Sequence, residues 1–246
     1  MRSLIFIVLA ALTGCAGQAS QSGAGSPGSA LKIADIALAS GTPQLALRAV
    51  ENVLTVDPRN TDALLRQGKA YMMLGNTATA ETDFRRALAI DDRLDEARLG
   101  LAKIWLGTNP MQAEKILLEV VSRDARNTAA LNNLGVARDL QGRHAEAQDA
   151  YRQALQAQPE LASAKQNLGL SLALSGKPKE GVEMLDQVAG AGTSDRKARD
   201  DLAVALTLSG QTDQAGQVLQ EELSAPDVTK ALAGYRALQD QNAPAQ

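Results

Sequence analysis

Residues 128–161 read TAALNNLGVARDLQGRHAEAQDAYRQALQAQPEL, and this stretch decides the fold. Two segments rich in alanine and other helix-forming residues flank Gly142. A glycine at such a place is typical of the residue that follows a helix in the left-handed region, because it has no Cβ to clash there. Pro159 follows the second segment, where a helix interior would not tolerate it. The stretch therefore predicts two helices joined by a tight turn.

The same pattern recurs along the chain with a period of 34 residues, and one unit is a residue shorter. Glycines that share the place of Gly142 are Gly41, Gly75, Gly176 and Gly210. Small residues follow five positions later, at Ala46, Ala80, Ala147, Gly181 and Ala215. This period is typical of the tetratricopeptide repeat. It predicts an all-α, right-handed solenoid of about six helix-turn-helix units, starting near residues 27, 61, 95, 128, 162 and 196.

The ends of the repeat array are also marked in the sequence. We assign residues 30–241 to the solenoid and residues 242–246 to a polar tail. Asp227 is placed to cap a last helix over roughly residues 228–240. A solenoid needs such a helix because the apolar face of its last unit is otherwise exposed. In the third unit, where the turn glycine is replaced, Pro110 suits the first turn of the second helix.

The first residues predict a lipid anchor. Residues 1–14 combine Arg2 with an apolar run too short to span a bilayer, which is typical of a secretory signal peptide. The end of this segment with Cys15, the only cysteine, resembles the lipobox of bacterial lipoproteins, which implies cleavage before Cys15 and its acylation. No aspartate follows Cys15, so the resemblance implies the periplasmic face of the outer membrane. Residues 15–29 indicate a flexible Gly/Ser/Ala linker. The alternative is an ordinary signal peptide with a chance cysteine.

The composition argues against several classes of function. Lys and Arg total 25 against 28 Asp and Glu, and aromatic residues make up 2%. Nucleic-acid binding is therefore disfavoured, because it needs an excess of positive charge for the phosphates or aromatic rings that stack on bases. One His and one Cys cannot form the usual zinc sites. His144 is the only candidate general base, and we interpret it as a solvated turn residue because no nucleophile motif accompanies it. We predict no enzyme activity, cofactor, metal or small-molecule substrate.

Function is therefore expected from a protein-binding surface. In tetratricopeptide arrays the concave groove is lined by fixed positions of each unit, and here these positions are first apolar with a few charges and then rich in amides. The candidate groove residues are Arg66, Lys69, Met72, Met73, Lys103, Asn132, Asn133, Val136, Gln166, Asn167 and Leu170. Amides can donate to and accept from a peptide backbone, and methionine adapts to apolar contacts. The alternative is that these residues belong to the repeat pattern or to the core between units.

Several stretches resemble the TadD proteins of the tight-adherence (Flp) pilus system. They are residues 131–160, LNNLGVARDLQGRHAEAQDAYRQALQAQPE, residues 166–189, QNLGLSLALSGKPKEGVEMLDQVA, and residues 200–223 and 232–238. With the lipobox, the resemblance covers nearly the whole chain. It implies a non-catalytic accessory role in assembling the pilus secretion machine at the outer membrane, with a pilotin for the secretin ring as one form of that role.

Two other interpretations stay open. The first is a tetratricopeptide lipoprotein adaptor that brings a periplasmic protease or a peptidoglycan hydrolase to its substrate. The second is an enzyme whose site is not evident in the sequence. Genes for a secretin, a secretion ATPase and a small prepilin nearby favour the pilus role over the adaptor.

Overall fold

The computed structural model describes residues 26–189 and 196–242. Within these ranges the chain forms thirteen α-helices, and the all-helical repeat fold predicted from the sequence period is confirmed. The helices are α1 (Pro27–Ala39), α2 (Pro43–Val56), α3 (Thr61–Met73), α4 (Thr77–Ile90), α5 (Asp95–Leu106), α6 (Pro110–Arg123), α7 (Thr128–Asp139), α8 (His144–Ala157), α9 (Ala162–Leu174), α10 (Pro178–Ala189), α11 (Arg196–Leu208), α12 (Thr212–Gln220) and α13 (Ala225–Asn242). Cys15, the predicted signal peptide and residues 243–246 lie outside the described residues.

The helices pack as two layers. Each second helix contacts the first helix of its own unit and the first helix of the next, as α2 contacts α1 and α3. The first helices also contact one another in order, from α1 with α3 to α9 with α11. One side of the array is therefore built from first helices alone, and the candidate groove residues lie on these helices. Over the described ranges, no helix is long and apolar enough to cross a membrane.

The turns form as the sequence pattern predicts. Gly142 has a φ of +73°, and the other four glycines that share its place also have positive φ, between 69° and 85°. Pro110 lies at the start of α6, as predicted for the third unit. Asparagines cap four helices: the side-chain oxygens of Asn60, Asn76, Asn109 and Asn127 each accept a hydrogen bond from the backbone N–H three residues on. These caps satisfy donors that a helix start leaves free.

Two predicted boundaries need correction. The first helix begins at Pro27, so residues 27–29 belong to the solenoid and not to the linker. Ser26 accepts from the backbone N–H of Ser29, and a proline suits the first helical position. The last helix begins at Ala225, and Asp227 lies in its first turn, where its carboxylate accepts from the hydroxyl of Ser224. Asp227 therefore favours the helix N-terminus from inside the helix instead of capping it.

Small residues let the paired helices approach closely. A Cβ added to Gly135 would overlap the ring of Tyr151, which is 1% exposed. The fully buried ring of Phe84 similarly lies against Gly68 of its own unit and Gly100 of the next. The packing of these rings therefore depends on glycine in the facing helices.

Candidate partner-binding groove

Four of the candidate residues meet in one pocket, which we call the groove pocket. It has a volume of about 400 Å³ and is lined by Leu38, Lys69, Met72, Met73, Phe84, Glu96, Leu99, Gly100 and Lys103. The lining comes from α1, α3, α4 and α5, so the pocket spans the first three units. Leucine and the flexible, polarisable methionine side chains make a surface that adapts to apolar partners.

The two lysines of the groove pocket differ in their surroundings. Lys69 forms an ion pair with Glu96. Lys103 is exposed, and in the part of the chain that the structure describes no carboxylate forms an ion pair with it. Met73 is 47% exposed beside them. The pocket therefore offers an apolar surface next to one lysine that is available to a partner's carboxylate or carbonyl oxygen.

Arg66 is occupied within the molecule. Its guanidinium donates to both carboxylate oxygens of Asp35 at 2.8 Å, and to Asp62 at 3.5 Å. The hydrogen bonds that Arg66 donates to Asp35 raise the pKa of Arg66. A bidentate pair of this kind orients both side chains and ties α1 to α3. The structure thus gives Arg66 a contact within the array, while its role toward a partner stays a prediction.

The amide residues also bond to one another along the first helices. The Nδ2 atom of Asn167 donates to Oδ1 of Asn132 at 3.0 Å. Gln166, which is 6% exposed, donates to Asp201 at 2.7 Å. These bonds link α7 to α9 and α9 to α11. These amides were predicted from the sequence to bond to the backbone of a bound peptide. The bonds between helices use part of their hydrogen-bonding capacity.

Asn133 differs from these amides. It is 8% exposed, and its Nδ2 atom has no hydrogen-bond partner among the residues that the structure describes. A buried donor without a partner costs free energy, so such a group in a native protein needs an explanation. The neighbouring candidates are apolar: Val136 is half-buried and packs against the core cluster around Tyr151, and Leu170 is half-buried.

The side-chain bonds between first helices join residues of neighbouring units that are 27 to 35 positions apart, and we call them the first-helix ladder. Its members are Asp35–Arg66, Lys69–Glu96, Asn132–Asn167, Asp139–Ser171 and Gln166–Asp201. This ladder was not predicted from the sequence. A search for complementary side chains one period apart could have found it, because equivalent residues of neighbouring units lie side by side.

The described residues contain no such bond between α5 and α7. Lys103 and Asn133 hold the positions there that Asp35 and Arg66 hold between α1 and α3. Where the earlier junction pairs an acid with a base, this junction pairs a lysine with an amide, which carries a donor and an acceptor. No bond joins the two side chains, and the Nδ2 donor of Asn133 has no partner among the described residues.

His144 is not the solvated turn residue that the sequence suggested. It is the first residue of α8, and its Nδ1 atom lies 2.8 Å from Oδ1 of Asp139. The same carboxylate accepts from the hydroxyls of Ser171 and Tyr151 at 2.7 and 2.9 Å. Both hydroxyls donate to the acid and neither to the imidazole, so this network does not place a nucleophile on a base. It fixes the packing of α7, α8 and α9.

Comparisons with known proteins identify the repeats. The tetratricopeptide repeat family matches residues 31–95 and again residues 128–161. The crystal structure of PilW, described as a widely conserved type IV pilus biogenesis factor, superposes with a TM-score of 0.70 and covers 80% of this chain and 93% of that one. At 20% identity, this match concerns the fold alone. The chain therefore contains tetratricopeptide repeats, which are typically found in non-catalytic scaffolds and mediate protein–protein interactions.

Among its relatives is a pilus protein. The type IV pilus assembly protein PilF of Pseudomonas aeruginosa is 33% identical over 97 residues, which cover 39% of this chain and 37% of that protein. A human FK506-binding protein-like protein is 39% identical over 64 residues, or 26% of this chain and 18% of that protein. The chain thus spans well under half the length of these curated relatives.

Proposed function

We propose that this protein is a lipid-anchored scaffold that assists assembly of a tight-adherence (Flp) pilus secretion machine at the outer membrane, acting as a pilotin for its secretin. The observation that carries the proposal is the junction between α5 and α7, where Lys103 forms no ion pair and the buried Nδ2 donor of Asn133 has no acceptor among the described residues. A segment of the secretin supplies that acceptor.

The groove pocket supports binding of such a segment. Met72, Met73 and Leu99 give the segment an apolar surface, and Lys103 lines the same pocket. Lys103 binds a carboxylate or a backbone carbonyl at the pocket's edge, and Asn133 continues the contact on α7. A short apolar segment with an acidic residue fits both requirements.

The lipid anchor supports the place of action. In this proposal, Cys15 carries acyl chains, and the linker to Ser26 spans at most about 40 Å when fully extended. Several acyl chains at about 0.8 kcal/mol per buried CH₂ hold the protein permanently on the membrane. The groove then works close to the membrane in which a secretin ring assembles. Similarity to a type IV pilus assembly protein is in line with this role.

Binding of the purified mature chain to the C-terminal region of the tight-adherence secretin tests the proposal. We expect saturable binding, with Lys103→Glu and Met73→Asp each raising Kd about tenfold or more, as expected for a lost charged contact or buried apolar side chain. Met111→Asp is the matched control, because Met111 is 70% exposed and lies on α6, outside the groove pocket.

A deletion strain tests the cellular role. We expect the deletion strain to lose secretin multimers and surface pili. Expression of the Met111→Asp variant in this strain should restore both. Normal multimers and pili in the deletion strain would contradict the pilus role, and a periplasmic hydrolase recovered on the groove in place of the secretin would favour the adaptor alternative.

A further inference from the structure

The outer end of the first unit carries a second apolar groove, separate from the groove pocket. It lies between α1 and α2, has a volume of about 500 Å³, and is called the end groove below. Its lining residues are Ser26, Pro27, Ser29, Ala30, Ile33, Leu45, Arg48, Ala49, Asn52, Val53 and Val56. Ile33, Leu45 and Val56 are 47%, 49% and 84% exposed. Large apolar side chains that cluster on a surface in this way mark interaction sites.

Ile33 occupies a position that holds a buried leucine in units three to six, whereas unit two has the partly buried Gln67 there. Its counterparts Leu101, Leu134 and Leu168 are 2%, 2% and 3% exposed. They are buried because α5, α7 and α9 each pack on the second helix of the unit before. Among the described residues no helix precedes α1. The first unit therefore presents to solvent the apolar stripe by which the interior units dock on their neighbours.

Ile36 repeats this contrast one turn further along α1. It is 67% exposed, whereas its counterparts Ala137 and Ser171 are 0% and 1% exposed. The exposed stripe therefore extends beyond the end groove along the same helix. A helix packed against it would continue the repeat architecture in the direction of the N-terminus.

Leu45 shows that the apolar character of the end groove does not come only from the lack of a preceding unit. Its counterparts in units two to six are all polar: Thr79, Gln112, Glu146, Glu180 and Gln214. The terminal unit of a solenoid normally becomes more polar to stay soluble. Here the first unit is more apolar at this position than the interior units. A partner that covers this end of the array explains the apolar residue.

The opposite end of the array is closed. Helix α13 packs on α11 and α12, and Val228 on it is 5% exposed. None of the large apolar side chains found exposed in the described ranges belongs to α13. The closed end of a second copy therefore offers the end groove no large exposed apolar side chain among the described residues, which favours an occupant from another protein.

Charge narrows the choice of occupant. Among the described residues that line the end groove, Arg48 is the only charged one. We propose that the end groove binds an amphipathic helix of a partner protein, with an apolar stripe and a neighbouring acidic residue, in the place where a preceding unit's second helix would pack. This site is independent of the groove pocket and of its proposed ligand.

A labelled peptide with the sequence of residues 109–124, NPMQAEKILLEVVSRD, is a suitable probe. It copies α6, the helix on which α7 docks with Leu134, the counterpart of Ile33. Fluorescence anisotropy with the mature chain should show saturable binding. Ile33→Asp and Leu45→Asp should each raise Kd at least about tenfold, because each removes a buried apolar contact. Arg48→Glu should weaken binding of this peptide. The same variant should bind more tightly to a version of the peptide in which Glu114 and Glu119 are changed to Lys.

Met111→Asp is again the matched control, since it makes the same kind of change at an exposed residue outside the end groove. Its Kd should equal that of the wild type. An unchanged Kd in both Ile33→Asp and Leu45→Asp, or no saturable binding of either peptide, would overturn the proposal.

Two further measurements distinguish other occupants. Sedimentation that shows a dimer in the wild type and a monomer in Ile33→Asp would assign the end groove to a second copy. Binding of the unlipidated chain to phosphatidylglycerol vesicles that is lost in Ile33→Asp would assign it to lipid. Either result would overturn the proposal. Secretin binding that persists in Ile33→Asp would show that the groove pocket functions independently of the end groove.

Discussion

Asn167 donates a 3.0 Å hydrogen bond from its amide nitrogen to Oδ1 of Asn132, one repeat earlier. The two amides therefore hold α9 beside α7, whereas the Nδ2 atom of the adjacent Asn133 has no hydrogen-bond partner in the described ranges. Two asparagines that follow each other in the sequence thus differ. One serves the array, and the other keeps a buried, unpaired donor, which the proposed function assigns to a ligand.

Substitution separates these roles. Asn167→Ala should lower the free energy of unfolding by about 0.5–1.5 kcal/mol, because it removes an intramolecular hydrogen bond. Asn133→Ala should leave stability nearly unchanged and weaken secretin binding, because the lost donor has no partner within the chain. Urea unfolding and binding titrations measure both quantities, with the exposed Gln153→Ala as control. A large stability loss in Asn133→Ala would contradict this assignment.

Two glycine-to-alanine changes should have opposite effects on stability. In Gly135→Ala the new methyl group overlaps the ring of Tyr151, which costs about 1–3 kcal/mol by overpacking. In Gly216→Ala the methyl group lies 3.9 Å from Leu232, at ordinary contact distance. Gly216→Ala should therefore stabilise the protein by up to about 1 kcal/mol, since alanine is the better helix former. Thermal melting of both variants checks the prediction, and a shift of the same sign in both would count against it.

Glu114 should make stability depend on pH. Burial raises its pKa, but hydrogen bonds from Arg138, Gln141 and Arg143 outweigh burial, so the pKa is lowered overall. Ionised Glu114 therefore stabilises the fold above its unfolded pKa, and this contribution is lost as pH falls through the lower, folded pKa. Glu114→Gln should cost about 1–3 kcal/mol near pH 7.

The difference between Glu114→Gln and the wild type should shrink at a pH well below the normal carboxyl pKa, about 4. Urea unfolding at the two pH values measures it. Glu146→Gln is the control, because Glu146 is an exposed carboxylate that pairs with the same Arg143. Its effect should be much smaller. A destabilisation of Glu114→Gln that stays constant down to low pH would show that its charge is not the cause.

The lipid anchor gives a further prediction. Cys15→Ser should release the protein from the membrane fraction, because no helix of the described ranges could span a bilayer. Cell fractionation after a high-salt wash, with an antibody against the mature chain, measures the change. Should the Cys15→Ser protein stay with the membranes, acylation is not what holds it there.

The repeat fold was largely predictable from the sequence, while the side-chain bonds across it were not. The 34-residue spacing of the turn glycines predicted the helix pairs, and Gly135 follows from the same register. Arg66 bonds to Asp35, and Gln166 bonds to Asp201. These bonds depend on how neighbouring units align, which the repeat period alone does not predict. His144 was misjudged because its partner Asp139 lies across the turn, beyond the pattern of apolar residues.

The first-helix ladder also sets how the array bends. Side-chain bonds hold neighbouring first helices together from α1 to α5 and from α7 to α11, but the described residues show none between α5 and α7. We therefore expect the solenoid to be softer at this junction than at the neighbouring ones. Changes in curvature should concentrate there, beside Lys103 and Asn133, whose Nδ2 atom has no partner in the described part of the chain. A ligand that bridges these two residues should stiffen the array, so that occupancy of the groove is converted into rigidity of the scaffold.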